Sequence, residues 1–185
     1  SIDRLVYYAG WCDKYQQLFS SVNPVASPHF NFSLPEPTGV VTIIASETSP
    51  LLGLVSAIGP VITGGNTCVV LASEKMPLSA ITFAEVLATS DLPGGVVNVL
   101  TGTSKELHSH FSSHMDVNAI IYCRNNKEER KTIEENCSLN IKRFFNWSRN
   151  WTKSENQNPY LILDLQEIKT TWHPVEKIGI GGANY

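Results

Sequence analysis

Positive charge is scarce: 14 Lys and Arg stand against 17 Asp and Glu, a formal net charge of −3 over 185 residues. Phosphate backbones and anionic bilayers are held by clustered Lys and Arg, so neither nucleic acid nor membrane is an expected partner. Long apolar runs are also missing. The longest, Gly53 to Pro60 with Val61 and Ile62 behind it, is broken by Ser56, Gly59 and Pro60. It falls well short of the roughly 20 residues that cross a bilayer. Cysteine is sparse: Cys12, Cys68, Cys123 and Cys137 form no Cys-x-x-Cys pair and have no histidine at zinc spacing. Neither a disulfide framework nor a metal site is expected, and reduced thiols suit a cytoplasmic protein. A Gly-x-Gly-x-x-Gly loop is absent too. The nearest stretch, Gly179-Ile180-Gly181-Gly182, has no strand-helix context. No secretory signal is visible, and because the first residue is Ser1 the chain is expected to be a piece of a longer one.

What is present is periodic. Hydrophobic residues make up 42% and charged residues 17%, the values of an ordinary globular domain. Ile2, Leu5, Val6, Ala9 and Cys12 recur at helical spacing, predicting an amphipathic helix over 1–17, capped by Ser1, whose apolar stripe packs on a larger body. Pro24, Pro28, Pro35 and Pro37 then mark a connector with an extended edge segment. From residue 40 onward β-branched runs alternate with helix-length segments. Strands are expected at 40–44, 67–71, 96–100, 117–122 and 141–145, with helices at 50–63, 77–89, 104–113 and 127–137. Parallel strands need crossovers, so this alternation implies an α/β fold, a Rossmann-like doubly wound parallel sheet. Residues 147–159 are polar and expected as loop, and 160–175 as one long strand or a broken pair.

Eight blocks in a fixed order carry a resemblance: Tyr7-Tyr8-Ala9-Gly10-Trp11, Gly39-Val40-Val41, Pro50-Leu51-Leu52, Gly65-Asn66-Thr67, Ala72-Ser73-Glu74, Pro77-Leu78, Leu92-Pro93-Gly94-Gly95 and Val96-Val97-Asn98-Val99. In order and spacing the chain resembles the aldehyde dehydrogenase superfamily, which oxidises aldehydes with NAD(P). The resemblance divides it into a nucleotide-binding domain at 1–145, a linker at 146–159, oligomerisation strand(s) at 160–175 and a flexible tail at 176–185. Glu167-Ile168-Lys169-Thr170-Thr171-Trp172 is similar to the family's terminal oligomerisation strand. A nucleotide domain joined to that strand, with the catalytic domain left out, resembles the truncated, non-catalytic second unit of the tandem aldehyde dehydrogenases of family 16.

Carried over residue by residue, the resemblance puts residual cofactor contacts at Glu74, Gly65 and Ser73. Glu74 stands for the glutamate that binds the adenosine ribose. The companion lysine is Leu71 here, removing a contact worth about 1.5–3 kcal/mol when desolvated. The oxyanion asparagine is Thr48, and losing one such donor costs on the order of 100-fold in rate. The small Gly-Ser pair beside the pyrophosphate is Cys123-Arg124, so the backbone can no longer approach the phosphates, although the Arg124 cation suits an anion. The general-base glutamate and the nucleophilic cysteine have no recognisable counterpart, so catalytic residues are expected to be none, and Cys123 and Cys137 read as structural thiols. His110 and His114 share a helix face without a third ligand and read as a solvated helix end.

These features support three readings. The first is a pseudoenzyme domain, scaffold and oligomerisation unit for itself or for an attached or partner dehydrogenase unit through 160–175, with no cofactor or weak NAD(P) binding. The second is a residual NAD-binding or sensing module. The third is a fragment of an active enzyme, which Leu71, Thr48 and the missing base and nucleophile oppose.

Overall fold

The computed structural model describes residues 1–175. In chain order the elements are α1 (Ile2–Ala9), α2 (Tyr15–Phe19), β1 (Ser21–Asn23), β2 (His29–Pro37), β3 (Val40–Ile44), α3 (Leu52–Thr63), β4 (Thr67–Leu71) and α4 (Leu78–Ala88). There follow β5 (Val97–Leu100), α5 (Ser104–Ser113), β6 (Ala119–Tyr122), α6 (Lys127–Ser138), β7 (Arg143–Asn146), α7 (Tyr160–Leu163) and β8 (Gln166–Pro174). Five strands form one sheet in the order β5-β4-β3-β6-β7, and every pairing is parallel. The α/β, Rossmann-like doubly wound fold is therefore present.

Alternating side chains explain why the sheet is covered on both faces. Val41, Ile43, Val70 and Ile121 point to one side and pack with Leu54 and Ile58 of α3 and Phe83 of α4. Ile44, Leu71, Ile120 and Tyr122 point to the other and pack with Phe111 of α5 and Ile133 of α6. The sheet residues among these are essentially inaccessible to solvent, and each buried aliphatic side chain contributes roughly 1.5–3 kcal/mol. Helix α3 is buried nearly all round, from Gly53 to Val61, which suits a helix made of small and aliphatic residues.

Two expectations are corrected. The N-terminal helix is not one 17-residue element: α1 ends at Ala9, turns follow, and the Ser1 side chain makes no capping bond. Its stripe is also misplaced, because Ile2 and Val6 are 78% and 68% exposed while Arg4 and Tyr8 are buried. The reason lies in the surroundings: the bare backbone of Gly59 on α3 admits the Tyr8 ring, and Arg4 Nη2 donates to the Trp151 and Lys153 carbonyls at 2.7 and 3.1 Å. The second correction concerns 160–175. Residues Tyr160–Leu163 form a helical turn, with Leu161 and Ile162 buried, and only Gln166–Pro174 is strand.

Strand β8 runs antiparallel to β2 in full register, from His29↔Pro174 to Pro37↔Gln166, and completes a three-stranded sheet ordered β1-β2-β8. The expected tail at 176–185, with Gly179-Ile180-Gly181-Gly182, lies outside the described residues.

Candidate functional site

In a parallel sheet the carboxyl ends of adjacent strands lie side by side. Here Ile44 of β3 pairs with Leu71 of β4 and with Tyr122 of β6. Two or three residues beyond those ends come Glu47, Glu74 and Arg124, and they meet. Arg124 Nε donates to the Ala45 carbonyl at 3.0 Å and Nη2 to the Ala72 carbonyl at 3.3 Å. Nη2 also pairs with Glu47 at 2.8 Å, and Nη1 bonds Glu74. Glu47 further accepts from Ser73 Oγ at 2.8 Å and from the Glu74 and Lys75 amides at 3.0 and 3.2 Å. Glu74 also accepts from the Ser104 amide at the start of α5, at 2.7 Å. Beside this cluster opens a polar cleft of about 670 Å³ between α5 and α6.

Burial alone would raise the Glu47 carboxyl, but the Glu74 amide, the Ser73 hydroxyl, the Lys75 amide and Arg124 together hold it below the ordinary carboxylate range. At Glu74 burial likewise pushes upward, and the Arg124 and Ser104 bonds win, so this carboxyl is lowered as well. A carboxylate lowered by folding contributes stability that is full above its unfolded pKa, about 4.3, and is lost as pH falls through the lower folded value. Glu47→Gln is therefore expected to reduce the acid dependence of the urea midpoint below pH about 4.3. Parallel pH profiles for wild type and variant would contradict the contacts just described.

The site residues expected from sequence separate into those the fold brings together and those it does not. Glu74 and Ser73 sit at the cleft, yet Ser73 spends its hydroxyl on Glu47 and accepts from the Met76 amide at 3.2 Å. Gly65 does not join them: it sits between α3 and β4, at the amino end of the sheet, with φ +80°, where it makes the turn into β4. Thr48 is exposed, and its hydroxyl lies 3.1 Å from Ser46 Oγ. Leu71 is fully buried in the core under α5 and α6. Arg124, expected to suit an anion, already donates three hydrogen bonds to protein acceptors and pairs with two carboxylates. Glu47 went unnoticed in sequence, although its place three residues past a parallel strand, like that of Glu74, was the available signal.

The three buried thiols are poorly placed as nucleophiles. Burial pushes Cys123 up to about 12, against a partial lowering by Arg149 and Arg124. Burial likewise pushes Cys68 up to about 12 and Cys137 up to about 11. Among the described residues no three His, Cys, Asp or Glu converge as metal ligands, and no helix is long and apolar enough to cross a membrane. His108 Nδ1 lies 2.6 Å from the Ser104 carbonyl on its own helix, and the Asp116 amide donates to His114 Nδ1 at 3.2 Å.

Beyond β7 the polar segment expected as loop carries two anchors. Trp147 and Trp151 are 1% and 0% exposed, their ring centroids 6.5 Å apart, and both join the core on the α3 side.

A doubly wound parallel sheet with its polar cleft at the strand carboxyl ends defines the class of dinucleotide-binding α/β domains. The aldehyde dehydrogenase family model matches residues 1–145, and the chain belongs to that family. It is 33% identical to an aldehyde dehydrogenase of Emericella nidulans over 143 residues, 77% of this chain and 28% of that protein. It is 36% identical to human cytosolic 10-formyltetrahydrofolate dehydrogenase over 146 residues, 77% of this chain and 16% of that one. Among solved structures, PnpE from Pseudomonas sp. WBC-3 superposes with a TM-score of 0.69 at 33% identity, covering 75% of this chain and 28% of that one. The NAD+ complex of a Bacillus cereus aldehyde dehydrogenase gives 0.69 at 28% identity, over 75% and 27%. The chain thus spans about 28% of the length of the first of these relatives.

Proposed function

We propose that this chain is a non-catalytic aldehyde dehydrogenase unit, a scaffold that joins subunits through β8 and has little or no affinity for NAD(P). The observation that carries the reading is the state of β8. Residues 167–174 are all exposed, including Ile168 and Trp172 at 52% and 57%. The strand pairs with β2 on one side and with no strand on the other among the described residues. An open edge of nine residues is suited to pairing with another chain. The degenerate positions Thr48, Leu71 and Cys123-Arg124 support the non-catalytic half of the reading. The joining of a nucleotide domain to such a strand favours a truncated unit of the tandem, family 16 type. A cytoplasmic setting accords with four cysteines without a disulfide and with the "cytosolic" name of the 10-formyltetrahydrofolate relative.

Sedimentation velocity tests this directly. The wild-type chain is expected to sediment as a dimer or larger at micromolar concentration, and Ile168→Lys with Trp172→Lys as a monomer. A wild-type monomer, or a variant that still associates, overturns the scaffold reading. A second reading, a residual NAD module, is favoured by one observation: Glu74 retains its place at a strand end beside a cleft of about 670 Å³.

A further inference from the structure

The family's cofactor sets a fit test that the residues of this cleft fail. A dinucleotide diphosphate needs open N–H donors and positive potential at the strand ends and helix starts. Of the five N–H donors of an arginine, three of Arg124 are spent on the Ala45 and Ala72 carbonyls and on Glu74, and its charge is paired with Glu47 as well. The Ser104 amide, at the start of α5, is taken by Glu74. At the start of α6 the Glu128 and Glu129 amides are taken by Asn126 Oδ1 at 3.0 and 3.3 Å. Glu129 in turn binds Ser104 Oγ and accepts from Tyr122 Oη at 3.0 Å, fastening the starts of the two helices to each other. The charge is also of the wrong sign. Four carboxylates line the cleft (Glu47, Glu74, Glu128 and Glu129), against the two cations Lys105 and Arg124.

We infer that Arg124 is a built-in occupant of the cofactor cleft: its guanidinium bonds one carboxylate oxygen of Glu74, Oε1, and ties the ends of β3, β4 and β6 together. A bound dinucleotide organises a dehydrogenase cleft from outside. Here one arginine and its two glutamates, with Glu129 as a second fastening, hold the cleft from inside. The side chain of Arg124 is only 9% exposed, so a nucleotide would have to displace it and leave Glu47 without its cation. This deepens the cofactor-free half of the proposed function and is independent of the strand-pairing half. A monomeric chain leaves it standing, and a cofactor-binding chain overturns it whatever the oligomeric state.

The test compares the full wild-type chain with Arg124→Ser by thermal melting with and without 1 mM NAD, alongside amide hydrogen exchange of the wild type. The wild-type Tm is expected to be unmoved by NAD, and Arg124→Ser is expected to lower Tm by about 4 °C or more. The Glu74, Lys75 and Ser104 amides of the cofactor-free wild type are expected to exchange slowly, as donors to the two carboxylates. Overturning results are an NAD-dependent rise in wild-type Tm, an unchanged Tm in Arg124→Ser, or exchange of those three amides at the rate of open loops. Should Arg124→Ser fail to fold, the wild-type exchange and the wild-type melt decide.

Discussion

Trp151→Ala is expected to lower the unfolding free energy by about 3–5 kcal/mol, the range for removing a large aromatic from a core. The indole is fully buried and stands so close to α3 that a Cβ on Gly53 would come within 3.0 Å of it. The Trp151 backbone carbonyl, which the substitution keeps, accepts from the buried Arg4 guanidinium at 2.7 Å, so the loss reads the indole packing itself. Urea denaturation measures the change. A loss below about 1 kcal/mol, typical of surface substitutions and mild core changes, would show that the segment after β7 is not part of the domain core. The outcome bears on function, because this segment lies beyond the family match and closes one face of the sheet with two tryptophans where polar composition alone suggested loop.

Gly59→Val is the second large effect, expected at about 3 kcal/mol of destabilisation through overpacking. An added Cβ would meet Tyr8 Cδ2 at 2.6 Å and Cγ at 3.2 Å, and Tyr8 is held on both sides. Thr63 Oγ1 donates to the Tyr8 carbonyl at 3.3 Å, and the ring is 2% exposed. Combining Gly59→Val with Tyr8→Ala is expected to cost less than the sum of the single changes, since the truncated ring makes room. Additive losses in the double variant would show that α1 does not dock on Gly59.

Much of the doubly wound sheet was legible because its signal is local. The runs Val40–Ile44 and Thr67–Leu71 match β3 and β4 residue for residue, and the helix expected over 104–113 is α5. What escaped notice depends on partners distant in sequence. Ile2 and Val6 form a good apolar stripe on paper, but Arg4 and Tyr8 are buried because Trp151, Lys153 and Gly59 receive them. The apolar pattern of Leu161, Ile162 and Leu165 fits a strand, but their spacing suits a helical turn as well, and Pro159 precedes the turn as its cap. At the site, Glu74 was legible from the family pattern and Glu47 was not. The role of Arg124 also reversed: alone it reads as bait for a phosphate, while in the fold its charge is shared between Glu47 and Glu74. Gly65 shows the converse, since a motif glycine near the right blocks in sequence ended at the opposite end of the sheet from Glu74.

Calorimetric titration of the full chain with NAD and NADP at neutral pH is the most direct measurement of a cofactor-free, non-catalytic unit. No saturable heat up to millimolar cofactor is the expected result. Saturable binding with a micromolar Kd, abolished by Glu74→Ala, would contradict it and leave the nucleotide-binding module as the function of this domain.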